Sequence, residues 1–141
     1  MKIPLKLKFL IKYWFPFLLW SVLIFSFSST PTVKTSEVHW QDFVIKKTAH
    51  VIEYFVFSLL LFRALIQSKI KNKMAILLTV IATFLYGISD EFHQSFTPGR
   101  EPKIRDVLID TGGTLLFFIF LYKIAPKNKK ITELVKMLQL A

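Results

Sequence analysis

From Tyr86 to Gly113 the chain reads YGISDEFHQSFTPGREPKIRDVLIDTGG. An apolar segment runs into Asp90, Glu91, His93 and Gln94. A Pro98-Gly99-Arg100 turn follows, and a second apolar segment opens with Asp106 and Asp110. A further polar group, Lys46, Lys47, His50, Glu53 and Tyr54, precedes another apolar run. Ionisable groups at the edge of a hydrocarbon-facing helix are costly to place, so they mark a working site. Carboxylates beside an imidazole suit proton transfer near neutral pH, with His50 as the proton carrier and Asp90 and Glu91 as central carboxylates. Lys47 and Arg100 suit a phosphate or carboxylate.

These groups need a scaffold. The chain has 141 residues, 53% hydrophobic and 16% aromatic, with mean hydropathy +0.49. Soluble domains average about 45–50% apolar with polar residues interspersed; here the apolar residues come in blocks. They are Tyr13–Phe27, Val51–Ile66, Met74–Ile88 and Val107–Ile124. Each is near the short end of the ~17–25 residues that cross a bilayer, and flanking polar residues lengthen it. Backbone groups in hydrocarbon must be satisfied within the segment, which predicts four transmembrane helices in an all-α domain. Pro16 is read as lying near a helix start, where proline is tolerated. The first run follows Lys2, Lys6, Lys8 and Lys12, as in a signal peptide. It is long for a cleaved signal and no A-x-A site follows, so an uncleaved helix is expected. The absence of cysteine excludes disulfides, thiolate nucleophiles and Cys-based metal centres.

Charge sets the orientation. The N-terminus, the Arg63–Lys73 link and the C-terminal tail hold thirteen bases against one acid, Glu133. The other end holds six bases and eight acids. The positive-inside rule places both termini in the cytoplasm and the Thr30–Val44 and Phe96–Arg105 loops outside. This gives a multi-pass protein of a bacterial-type cell membrane. Residues 1–12 form a basic cytoplasmic N-terminus, 13–125 a four-helix membrane domain and 126–141 a basic amphipathic tail. That tail, with Ile131, Leu134, Val135 and Leu138 among lysines, either lies on the anionic inner leaflet or is solvated. The net charge of +10 follows this membrane pattern, and no nucleic-acid motif accompanies it.

Helical spacing aligns the polar residues. Lys47, His50 and Tyr54 share one face, with Glu53 on or beside it; Tyr86, Asp90 and Gln94 share another; Asp106, Asp110, Gly113 and Phe117 form a third. Gly112 and Gly113 permit close backbone approach. All three stripes lie at the outward ends of their helices. Blander roles go to Lys46, snorkelling to the interface, to Trp40, an aromatic-belt residue, and to His39, in a polar loop. His93 is open between the cluster and water.

Three readings stand. One is anion handling: Lys47, Tyr54, Gln94, Arg100 and Asp106 bind a lipid head group, a lipid-linked cell-wall intermediate or a peptide, and His50, Asp90 and Glu91 transfer protons. A weaker one is a divalent metal held by His50, Glu53, Asp90 and Asp110, which the nearby cations oppose. No cofactor is otherwise expected. The third is a non-enzymatic binding or scaffold module whose charges form an interhelix network. Paired Gly/Pro-broken spans and a repeated half, the marks of a secondary transporter, are missing.

These residues resemble the VanZ-like family of small membrane proteins. The pattern is Lys47, His50 and Tyr54, then Asp90-Glu91, Gln94, Phe96, Pro98-Gly99-Arg100, Asp106 and Gly112-Gly113, with Arg63 closing the second helix. The match runs over about 43–118. Asp110 stands where the family often has Asn, and Lys103-Ile104-Arg105 stands where it often has a hydroxyl residue. The resemblance implies a cell-envelope role, linked in the founding member to resistance to the glycopeptide teicoplanin.

Overall fold

The computed structural model describes residues 4–29, 39–97 and 103–140. Helix α1 spans Leu5–Ser28, α2 His39–Gln67, α3 Asn72–Gln94 and α4 Ile104–Lys127, followed by a short α5, Lys129–Met137. Among the described residues there is no strand. Helices α1, α3 and α4, with the Phe43–Gln67 part of α2, are each long and apolar enough to cross a membrane. At 1.5 Å per residue, α1 with its 24 residues extends for ~36 Å, more than the ~30 Å hydrocarbon layer. The protein is a four-helix membrane protein.

The helices outrun the apolar blocks that announce them. Helix α1 starts at Leu5 rather than Tyr13, and α2 at His39, so His39 is helical and not in a loop. Pro16 therefore lies inside α1. A proline cannot donate to the carbonyl four residues back and its ring crowds it. The chain answers with a π-helical turn over Leu10–Trp14 just before the proline. Pro126 repeats the device: a π turn over Phe120–Ile124 and a 3₁₀ turn over Ala125–Lys127 surround it.

Helices α2, α3 and α4 form the core, with the largest contact between α2 and α4. Gly113 explains that closeness. A Cβ there would stand 2.5 Å from the Val51 carbonyl oxygen and 3.1 Å from the Phe55 nitrogen. Adjacent Gly112 faces open space. Beyond the glycine, Phe117 packs edge-on against Phe55 and Phe62. At mid-depth three small hydroxyls meet, one from each core helix. Ser58 Oγ donates to Thr114 Oγ1 at 2.8 Å and lies 3.4 Å from Thr83 Oγ1. In a medium without water, such mutual satisfaction is how buried hydroxyls are accommodated.

Helix α1 leans on this core from outside. Trp20 Nε1 donates to the Glu53 carbonyl at 2.9 Å, and Tyr86 Oη donates to the Ser21 carbonyl at 2.6 Å. Its Leu18, Leu19 and Val22 remain exposed, as lipid-facing residues do. At the other end, Trp14 Nε1 donates to Ser68 Oγ, and Tyr13 Oη donates to Gln139 Oε1 at 2.8 Å. Both described termini thus lie at one end of the bundle. The end of α1, the start of α2, the end of α3 and the start of α4 lie at the opposite end.

Two left-handed residues shape the terminal end. Lys69 (φ 63°) and Gln139 (φ 60°) each end a helix. The Ile70 amide bonds the Leu65 carbonyl and the Leu140 amide bonds the Val135 carbonyl, in the Schellman pattern. The second motif folds Leu140 back onto Val135, both buried, so part of the amphipathic tail docks beneath the bundle.

The two neighbouring glycines make a paired test. Gly113→Ala overpacks the α2–α4 contact and is expected to destabilise by roughly 1–3 kcal/mol. Gly112→Ala has room and gains helix propensity, for a change of at most about 1 kcal/mol in the stabilising direction. Unfolding of the purified variants in detergent separates the two.

Candidate functional site

At the end opposite the termini, α2, α3 and α4 bring their polar stripes together. Burial comes first: Tyr54 is 0% exposed, Asp110 1%, Asp90 2%, and Glu91 and Gln94 6% each. Helical spacing put each on the inner face. On α3, Ala75, Thr79, Thr83 and Gly87 recur every fourth residue, leading to Asp90 and Glu91 and then Gln94. Small residues below let α4 approach, and polar ones above meet it.

Two ion pairs tie α2 to α4. Lys47 Nζ lies 2.6 Å from Asp106 Oδ2, and His50 Nδ1 lies 3.2 Å from Asp110 Oδ1. With its proton on Nδ1, His50 donates to that carboxylate. Asp106, expected as a ligand contact, meets Lys47, with Arg105 Nε 3.7 Å away. Arg105 also lies over the Phe43 ring. Arg100, Pro98 and Gly99 lie outside the described residues, and with them the expected second anion contact.

Helix α3 supplies two carboxylates held locally. Gln94 Nε2 donates to Asp90 Oδ2 at 2.7 Å, one turn along the same helix. The Lys103 amide donates to Glu91 Oε2 at 2.8 Å, fastening the start of α4 to the end of α3. Gly87 faces Asp110: a Cβ there would come 3.5 Å from Asp110 Oδ2. Asp110 therefore sits against the face of α3 that carries Asp90, with the Tyr54 phenol close to both acids. Glu53 is near enough to His50 to bear on its charge. His93 lies to one side, stacked on Phe25 of α1 with ring centroids 3.8 Å apart.

Asp90 Oδ1 and Asp106 Oδ1 are buried without a hydrogen-bond partner, while the Tyr54 hydroxyl stands beside Asp110, to which it can donate. Each such group costs about 1–3 kcal/mol when left unsatisfied. Four carboxylates, Asp90, Glu91, Asp106 and Asp110, stand against Lys47, His50 and the more distant Arg105, each of which already faces one of the acids. Among the described residues the cluster is rich in acceptors, better matched to a donor-bearing group than to an anion. Among the described residues no three of His, Asp and Glu gather as metal ligands; of the set His50, Glu53, Asp90 and Asp110, His50 and Asp110 are in direct contact.

The small-residue stripe on α3, the Ser58–Thr83–Thr114 contact and the Lys103 amide are functional supports the sequence reading missed. The four-residue spacing of Thr79, Thr83 and Gly87 was the available signal for the stripe. A backbone amide carries no such signal.

A family model described as VanZ/LLP1 matches residues 9–125. No curated protein and no solved structure matches the chain.

The His50–Asp110 pair can be isolated by a double-mutant cycle. His50→Ala leaves Asp110 buried without its hydrogen-bond donor and is expected to cost roughly 1–3 kcal/mol. Adding Asp110→Asn removes the stranded charge and should recover about 0.5–3 kcal/mol of that loss. Chemical unfolding in detergent measures both.

Proposed function

Because this chain belongs to the VanZ/LLP1 family, we propose that its polar pocket recognises the head group of a cell-envelope amphiphile. The ligand class is an envelope lipid, a lipid-linked cell-wall intermediate or a glycopeptide. The observation that carries this is the buried, unpartnered Asp90 Oδ1 beside the Tyr54 hydroxyl and the Asp110 carboxylate, three buried polar groups drawn from three helices. Hydroxyl, amide or ammonium donors of such a head group would satisfy them, and satisfying a buried acceptor is a strong source of selectivity. His50, oriented by Asp110, is the group placed to take a proton from a bound donor. Lys47, held by Asp106, sets the pocket's rim. The charge asymmetry of the sequence supports a pocket opening to the extracytoplasmic side, with both termini in the cytoplasm.

A second reading has its own support: the Lys47–Asp106 and His50–Asp110 pairs join α2 to α4 and are also what a purely structural network would contain. Asp90 separates the two readings, because its hydrogen-bond partner, Gln94, belongs to its own helix.

Asp90→Asn and Tyr54→Phe are expected to leave the protein folded and to weaken binding at least tenfold, the loss of one buried polar match. The measurement is titration of the nanodisc-embedded protein with a lipid-linked cell-wall intermediate and with a glycopeptide. Binding that is absent in the parent, or equal in parent and variants, returns the cluster to a structural role. The cysteine-free chain also lets orientation be read directly. A single Ser95→Cys should react with a membrane-impermeant maleimide in intact cells, and Lys129→Cys only after permeabilisation. The reverse pattern would place the pocket on the cytoplasmic side.

A further inference from the structure

The terminal end of the bundle carries a second recess, remote from the acidic pocket. It is a cavity of about 390 Å³ between the ends of α2 and α4, the start of α3 and the docked α5. Ile66, Leu121, Ala125, Val135 and Leu140 make its walls apolar. At its edge Tyr122 Oη donates to Asn72 Oδ1 at 2.8 Å, bridging α4 to α3, and both residues are exposed. The volume falls in the ~300–1,000 Å³ range of ligand sites, and a nearly apolar lining with a polar rim is their usual composition.

The exposed residues next in sequence to the lining are mostly basic, with Glu133, after Thr132, the one acid. Lys71 and Lys73 flank Asn72, Lys123 follows Tyr122, and Lys127 follows Pro126; all four are exposed. No acid occurs between Glu53 and Asp90, and beyond Asp110 the sequence holds one, Glu133. Helix α3 begins beside the cavity with no side-chain cap and no acid in its first turn. An uncapped start presents free amides and a partial positive charge, which reinforces the preference for an anion set by the lysines.

We infer that this recess holds an anionic phospholipid of the adjoining leaflet, with an acyl segment in the Ile66–Leu121–Val135 cavity and its phosphate on the Lys71–Lys123–Lys127 rim. The complementarity has two parts, an apolar slot and a basic edge, in the order in which a phospholipid presents its own tail and head. The inference also gives the C-terminal segment a task. Val135 and Leu140, folded in by the turn at Gln139, form the slot's floor, so α5 closes over the lipid rather than floating on the membrane surface.

The test titrates the detergent-purified full chain with phosphatidylglycerol or phosphatidylcholine and counts lipid-bound species by native mass spectrometry. One phosphatidylglycerol per chain should be held at least about tenfold more tightly than phosphatidylcholine, as basic clusters favour anionic head groups. The triple variant Lys71→Gln/Lys123→Gln/Lys127→Gln changes exposed residues only. It should lose that preference, weakening phosphatidylglycerol binding by roughly a hundredfold through three surface lysines. Ile66→Trp fills the slot and should weaken both lipids alike. Equal affinity of the parent for the two lipids overturns the inference, as does a lysine variant that binds phosphatidylglycerol like the parent. If Ile66→Trp does not fold, the lysine variant still decides.

Discussion

Gly113 lets the α4 backbone press onto α2 at Val51 and Phe55, and that contact governs what lies above and below it. One turn above, Asp110 comes within reach of His50; one turn higher, Asp106 meets Lys47. Just below, Thr114 accepts from Ser58. In lipid no water stands ready to complete a bond left open, so polar groups on neighbouring helices must meet or remain unsatisfied. The glycine brings the backbones close enough for short side chains such as Asp, Ser and Thr to reach across. A larger residue would separate the whole register, and with it both ion pairs.

Around that contact the molecule divides into two unlike ends. The pocket end is acidic and contains its cations in pairs. The terminal end is basic, and its polar groups are mostly neutral: Tyr13 with Gln139, Trp14 with Ser68, Tyr122 with Asn72. Ionic partners at one end and neutral ones at the other leave the terminal lysines exposed. Their charge acts outward on the membrane surface, whereas the charge of the pocket acts inward on its own helices.

Much of this was legible in the chain. Long apolar blocks cannot be soluble core, so four helices followed from composition. The 3.6-residue period put His50 with Tyr54 and Asp90 with Gln94 on common faces before any packing was known. Helix ends were less legible, because polar residues such as His39 and Lys6 extend a helix without adding to its apolar signal. Pro16 does open the regular α-helical stretch Phe15–Ser28, but a π turn and an earlier helical turn precede it. Partner choice was the least legible. Asp106 has Arg105 beside it in sequence, yet its shorter contact is with Lys47 from another helix, set by interhelix distance. The Ser58–Thr83–Thr114 contact escaped notice because each hydroxyl taken alone is ordinary in a membrane helix.

The bond from Tyr13 to Gln139 joins residues 126 positions apart in sequence. The ribosome makes Tyr13 well before Gln139. Until Gln139 emerges, α1 lacks this bond and is held by Trp20 and Ser21 once their neighbours have inserted. A nascent chain stalled ahead of Gln139 would carry a loosely attached α1.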